Sequence, residues 1–323
     1  MSGTSAVPPH ASLPLARAAR ARPVGRAPIV DRAETGAPLF IHSSWRTSST
    51  WLWAKLRQAP TTFAYCEFFH ERLETLTIDY LRDNDFSRWN SKHPEGAPYF
   101  LEFARLFDAD GAVRGFDRSM ATERFIPGEG LAGALSAQER SYAAGLIDYA
   151  YARRKIPVLT DTRTLGRFAA LAGAFPGRHV LLVRNAFHQW GSYTEQWAHG
   201  NSYFMGMLFK TIEGSRHDPF VRLLSDWFAD EDRSPNSAAT FQLFLLFHLY
   251  LYANAFDAAD LILDVNKIAA EAEHRAEIEQ RLSEYVGSPV DLSDARAPFS
   301  ACRYFRSTRK RPSSIRSISS LSR

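Results

Sequence analysis

Five short apolar runs, Leu39–His42, Thr62–Tyr65, Pro157–Leu159, His179–Val183 and Leu261–Asp264, read as buried strands. Each is followed by a segment with helix signals, and that alternation predicts an α/β fold on a central parallel sheet of four to five strands flanked by helices. Ser136 with Glu139 forms a capping-box pattern ahead of "RSYAAGLIDYAYARR". Ile278, Leu282, Tyr285 and Val286 share one helical face, and Gly287 follows as its stop. The most apolar stretch, "FQLFLLFHLYLYANAF" at 241–256, carries Gln242, His248 and Asn254. It falls short of the roughly 20 residues of a membrane span, so a buried core helix is expected and no transmembrane segment.

Two interruptions of this pattern carry the chemistry. Between strands two and three, residues 66–156 contain no strand pattern, so a helical insert is expected there. It leaves strand two at the end where open α/β sheets bind ligands, the position for a lid or an acceptor pocket. It mixes aromatic and charged residues (Trp89, Lys92, Tyr99, Phe103, Arg105), which suits sugars and phenols alike. The other interruption is "HSSWRTSSTW", His42 to Trp51, between the first strand and a helix-like "LWAKL". It has none of the Gly, Pro, Asn or Asp of an ordinary turn. Six hydroxyls and an arginine at a helix N-terminus make a receptor for phosphate or sulfate. A nucleotide P-loop needs G-x-x-x-x-G-K-[ST], with Lys on the phosphates and a hydroxyl on Mg²⁺. This loop has neither its Gly nor its Lys, so the expected anion needs no metal.

Composition sharpens the picture in three places. The two cysteines, Cys66 and Cys302, give no disulfide framework and fit a reducing, cytoplasmic setting. The net charge of +4 belongs to the ends: residues 1–37 hold five Arg against Asp31 and Glu34, and 302–323 hold seven Lys/Arg with no acid. The remaining 27 basic and 33 acidic residues leave a body near −6, which argues against a nucleic-acid face. The expected organisation is a disordered Ala/Pro/Arg-rich tail (1–37), one α/β domain (38–300) and a basic Ser/Arg-rich tail (301–323). The first tail lacks the apolar core of a secretory signal.

The sequence resembles the sulfotransferases that use 3′-phosphoadenosine 5′-phosphosulfate (PAPS), in a bacterial-type form. Their phosphosulfate loop reads about [KR]-S-G-T-T-[WL]; the window here is Arg46-Thr47-Ser48-Ser49-Thr50-Trp51. Their second signature is a strand ending in Arg with Ser eight residues on; "HVLLVRNAFHQWGSY" supplies Arg184 and Ser192 after "FPGR". The closing "DLILDVNKIAAEAEHRAEIEQRLSEYVGSPVDLS" is similar to the family's last strand and helix, and the likeness spans about 38–293. One position departs: the family's loop Gly is Ser48, where a residue forced to φ > 0 costs about 1–3 kcal/mol.

The resemblance implies PAPS as co-substrate and a small-molecule or glycan acceptor, with no nucleic-acid partner. It implies that Arg46 stabilises the leaving 5′-phosphate. Thr47, Ser48, Ser49 and Thr50 would bind that phosphate through backbone and hydroxyl groups. Trp51 would lie against adenine, although Trp51 and Trp53 equally fit the core side of the helix. Arg184 and Ser192 would hold the 3′-phosphate, with a strand-end ion pair the plainer role for Arg184. For the general base the candidates are Glu67, then His70, then His93. Glu67 in aromatic surroundings would have its pKa raised, while a pair with Arg72 would make it structural. His42 reads as structural. Arg163 and Arg167 fit a solvated helix face better than the site, and Arg303 or Arg306 is a weaker donor contact. A metal-dependent phosphotransferase or nucleotide hydrolase, and a binding protein without turnover, are the competing classes.

Overall fold

The computed structural model describes residues 35–83, 99–108 and 111–296. Both tails and His93, with Trp89, Lys92, Arg303 and Arg306, lie outside the described residues. The five strands form one parallel sheet: β1 (Leu39–His42), β2 (Thr62–Cys66), β3 (Ile156–Asp161), β4 (Arg178–Val183) and β5 (Leu261–Asp264), in the order β2-β3-β1-β4-β5. All four residues of β1 are buried, as the central strand of a sheet covered on both faces must be. In β4 the residues alternate between two cores. Val180 and Leu182 pack with Leu39, Phe40 and Leu263, while Leu181 and Val183 pack with Trp190 and Phe244. Strand β5 departs from the expectation of a buried run. It pairs with β4 alone, and only Leu263 is buried. An edge strand has one neighbour and needs only one apolar face.

The helices follow their sequence signals. Helix α1 (Ser49–Gln58) starts at Ser48 and carries Lys55 and Arg57 in its last turn, where they complement its dipole. A short α2 (Ile78–Asp83) follows. Helix α3 (Ala137–Tyr151) opens with both halves of the capping box: Glu139 N–H donates to Ser136 Oγ at 3.2 Å, and Ser136 N–H to Glu139 Oε2 at 2.9 Å. Its apolar face, Tyr142, Leu146 and Ala150, lies in the core of the sheet, and Tyr65 donates to the Leu146 carbonyl at 2.9 Å. The carboxyl-terminal part of the insert is therefore sheet core, and Leu73, Leu76, Tyr99, Phe100 and Phe103 of its earlier part join the same core. Helices α4 (Phe168–Ala174), α5 (Ala186–Ala198), α6 (Tyr203–Gly214), α7 (Pro219–Trp227) and α8 (Ala238–Phe256) come next. Helices α9 (Val265–Ala270) and α10 (Ala272–Val286) close the domain, with Gly287 left-handed (φ 66°) after the last turn.

Helix α8 has 19 residues and is long and apolar enough to cross a membrane by length and composition. In this fold Phe241, Phe244, His248, Leu251 and Ala255, spaced by three and four, are buried. That is the packing of a core helix.

The capping box gives a direct test. Ser136→Ala removes the acceptor for two donors, Glu139 N–H and Arg124 Nη1. The expected loss is about 1 kcal/mol in urea unfolding.

Candidate active site

With β1 between β3 and β4, the chain leaves β1 toward one half of the sheet and β4 toward the other. The loops after these two strands enclose the crevice in which such sheets bind ligands. Both sequence motifs fall there. Arg46 Nε donates to Ser192 Oγ at 2.8 Å, and Arg184 Nη1 donates to the Arg46 carbonyl. Residues 146 positions apart in the chain thus share one hydrogen-bonded group. Arg184 Nε is buried without a hydrogen-bond partner, and the nearby carboxylate of Glu195 acts electrostatically on both guanidinium groups. Burial and the adjacent Arg46 charge pull Arg184 down to about 10, with Glu195 opposing. Burial likewise lowers Arg46, whose guanidinium lies 4.8 Å over the Phe204 ring. Two cations held together and partly desolvated are a demand for an anion.

The loop backbone completes the receptor. Arg46 (φ 67°) and Ser48 (φ 66°) are both left-handed, so backbone strain sits at two non-glycine positions, and the expected cost at Ser48 is real. Alternating backbone of this kind turns successive N–H groups to one side and forms an anion-binding nest. The N–H groups of the first turn of α1 have no intrahelical acceptor, and the Ser48 side chain makes no capping bond to them. They remain for a ligand.

Most hydroxyls in the loop are committed to its shape. Ser43 donates to the Asp161 carbonyl at 3.3 Å. Thr47 donates to the Ser44 carbonyl at 2.7 Å and is fully buried, which corrects the expectation that its hydroxyl faces the phosphate. His248 donates from Nδ1 to the Phe244 carbonyl, so its bare Nε2 accepts from Ser44 at 2.6 Å. Thr50 and Tyr99 share a hydrogen bond at 2.7 Å, which brings the insert onto the head of α1. Gln189 adds contacts that the sequence did not reveal: its Nε2 donates to Ser44 Oγ at 2.8 Å and to the Trp45 carbonyl at 2.6 Å. It lies three residues before Ser192 on α5, so one helical face presents both to the loop. Its spacing from Ser192 was the available signal.

The aromatic expectation divides between two residues. Trp53 is core: it is buried, stacks on Tyr99 at 5.6 Å and donates to the Ala64 carbonyl. Trp51 is half-buried and donates to Asp294 at 3.1 Å, which leaves it nearer the surface. His42 is structural as read; His179 Nε2 donates to the Phe175 carbonyl, so its Nδ1 accepts from His42 Nε2 at 3.0 Å inside the core.

A second cluster adjoins the cradle through Tyr203 and Phe204 at the start of α6. Glu67 follows β2 in a left-handed conformation (φ 52°). Its carboxylate accepts from Thr162 Oγ1 at 2.9 Å and from Arg163 Nη1. Burial raises its pKa to about 7, with Arg163 opposing and Asp161 adding to the rise. The suggested partner Arg72 instead lies over the Tyr80 ring. Arg163 and Arg167 correct the reading of a solvated helix face, since both are fully buried. Arg163 Nη2 donates to Glu71 and to Tyr203 at 2.8 Å each. Arg167 donates to Glu139 at 2.6 Å and to the Met120 carbonyl. Sequence reasoning put Arg163 on a solvated face and missed Glu71 and Tyr203; the polar run "DTRT" at the end of β3 was the trace of Arg163.

His70 also lies in this cluster. Its Nδ1 accepts from Arg72 N–H at 3.0 Å, so the ring proton is on Nε2, facing Tyr203 Oη at 3.3 Å. Burial and the Arg163 charge lower its pKa to about 3. No free lone pair remains on it to accept a proton. No group of metal-ligating side chains occurs among the described residues. A separate cavity of about 460 Å³, lined by Phe209, Lys210, Glu213, Phe228, Arg233 and Leu243, shares none of these residues.

No family model matches the chain, and no curated protein matches it. Among solved structures it is similar to the sulfotransferase STF9 from Mycobacterium avium, at 16% identity and a TM-score of 0.36, covering 80% of this chain and 65% of that one. It is also similar to the sulfotransferase domain of the olefin synthase of Synechococcus PCC 7002, at 13% identity and a TM-score of 0.33, covering 79% and 74%. The chain thus spans just under two thirds of the Mycobacterium structure. Both superpositions are loose, and the chemistry below rests on the residues of this chain.

Ser48 offers the test of the nest. Ser48→Gly should raise stability by up to about 1 kcal/mol, because glycine adopts φ > 0 without the Cβ clash but loses more chain entropy. Ser48→Val should lower it by more than that, read from paired urea midpoints.

Proposed function

We propose that this chain transfers a sulfuryl group from PAPS to a hydroxyl or amine of a carbohydrate, lipid or small-molecule acceptor. The observation that carries this reading is the meeting of Arg46, Arg184 and Ser192 at the head of α1. A donor with phosphate groups at both the 3′ and 5′ positions needs two anion contacts in one cradle, and a plain adenine nucleotide needs only one.

In this reading the acceptor oxygen or nitrogen attacks sulfur in line as the bond to the bridging oxygen of the 5′-phosphate breaks. The electron pair goes to that oxygen, and Arg46 with the first N–H groups of α1 stabilises the developing charge. Ser48, Ser49, Thr50 and the backbone of Thr47 line the same head, Arg184 and Ser192 take the 3′-phosphate, and Trp51 borders the adenine side. The acceptor proton goes to Glu67. Of the two described candidates, Glu67 is preferred to His70 because it keeps carboxylate lone pairs on its exposed edge and a pKa near the working pH. The earlier part of the insert, with Tyr99, would cover the acceptor.

Isothermal titration with 3′,5′-adenosine bisphosphate, against ADP with Mg²⁺, tests the donor. Metal-independent binding of the bisphosphate should weaken about 10–100-fold in Arg184→Ala, the scale of a lost charge-assisted hydrogen bond. Tight binding of ADP with Mg²⁺ alone would instead point to a phosphotransferase or hydrolase. With an acceptor in hand, Glu67→Gln should lower kcat about 10²–10⁴-fold and leave bisphosphate affinity intact. The wild-type rate should fall on the acid side with a midpoint at about 7, since the base acts only when ionised. A full-rate Glu67→Gln variant would remove Glu67 from the chemistry.

A further inference from the structure

The guanidinium of Arg163 joins three segments that the sequence places far apart. One nitrogen, Nη1, donates to Glu67 after β2; the other, Nη2, donates at 2.8 Å both to Glu71 of the following turn and to Tyr203 of α6. We propose that Arg163 is the positioning residue for proton removal, holding the Glu67 carboxylate toward the acceptor. This rests on the assignment of Glu67 as the base.

A purely architectural role is already filled by a different side chain. The carboxylate of Asp161 accepts from Phe69 N–H and Arg163 N–H, tying the turn after β2 to the loop after β3 without the Arg163 side chain. The Arg163 side chain does something else. It is itself fully buried, yet its partners point outward: 12% of the Glu67 side chain and 25% of the Glu71 side chain are exposed. A buried cation is costly unless it is paired and hydrogen-bonded, and this one makes its carboxylate hydrogen bonds on the open side, to Glu67 and Glu71, with buried Asp161 at 3.9 Å behind it. Glu67 needs such a hold. Its left-handed backbone directs the side chain out of the strand, and a glutamate has three torsions that would otherwise be free. The same clasp reaches the donor cradle, because the Tyr203 ring meets the Phe204 ring edge to face, and Phe204 lies beneath the Arg46 guanidinium. Lysine could not substitute: a single ammonium on a flexible stem cannot hold Glu67 on one fixed nitrogen and Glu71 with Tyr203 on another.

The groups that set the charge state of Glu67 come from every neighbouring element. They are Asp161, Thr162 and Arg163 from β3 and its loop, Cys66 beside it on β2, Tyr99 from the insert and Tyr203 from α6. Arg163 is the one cation in this set, and it favours the ionised carboxylate. Its loss therefore raises the Glu67 pKa.

The experiment is an infrared pH titration of the protonated-carboxyl stretch in the full chain, assigned to Glu67 by its absence in Glu67→Gln. The wild-type midpoint is expected at about 7. Arg163→Gln should move it up by more than one unit and Arg163→Lys by a smaller step in the same direction. Affinity for 3′,5′-adenosine bisphosphate should stay within twofold in both. An unmoved midpoint in the variants overturns the proposal, as does bisphosphate affinity lost in step with the midpoint, which would mark a general structural role. Should Arg163→Gln not fold, Arg163→Lys decides by the same criterion. Absent bisphosphate binding in the wild type, with the midpoint shift intact, would defeat the sulfuryl-transfer reading and leave the Arg163–Glu67 hold standing.

Discussion

Two guanidinium groups held against each other are the constraint on which the site depends. Arg46 and Arg184 would separate in water, and their approach is imposed by the backbone: Arg184 donates to the Arg46 carbonyl while Arg46 donates to Ser192. The sheet enforces this. β1 and β4 are adjacent and in register from Leu39 opposite Arg178 to His42 opposite Leu181, so the loops that leave their carboxyl ends share one crevice. Once β1 is the centre of the sheet, the helix head and the strand-end arginine have nowhere else to be.

The loop after β1 illustrates how a polar segment can be rigid without glycine. Ser43, Ser44 and Thr47 each satisfy a buried partner, and Gln189 and His248 brace the loop from α5 and α8. This bracing offsets the strain of two left-handed residues and leaves the backbone N–H groups as the free donors. The strain and the anion receptor are therefore the same feature, a local rule broken where a ligand is to be held.

The acid cluster beside the cradle follows the opposite electrostatic logic. Glu67, Glu71 and Asp161 surround the buried guanidinium of Arg163, and buried Arg167 acts on Asp161 as well. The desolvated carboxylates are compensated unequally, so the members divide. Glu71, in contact with Arg163 and Tyr203, is brought down to about 2 against the effect of its burial, while Glu67 is pushed up to about 7. Environments that separate the pKa values of neighbouring acids in this way are how proteins obtain a base that works near neutrality.

The strands, the capping box, the Gly287 stop and the core helix at 241–256 were legible in the sequence, because each depends on short-range periodicity or local hydrogen bonding. The resemblance also pointed to Arg46, Arg184 and Ser192, and the fold brings these three into one hydrogen-bonded group. The burial of Arg163 and Arg167 and the part-exposure of β5 were not legible. A strand-following arginine looks the same whether it faces water or three acids, and an apolar run does not state whether it has one neighbour or two. Those questions are settled by long-range contacts, the 96 residues between Glu67 and Arg163 above all. The sequence by itself determined which segments are strand, helix and anion loop, since that information is local. Tertiary structure alone decided which cations are paired with buried acids, because charge balance in a buried site is a property of neighbours in space.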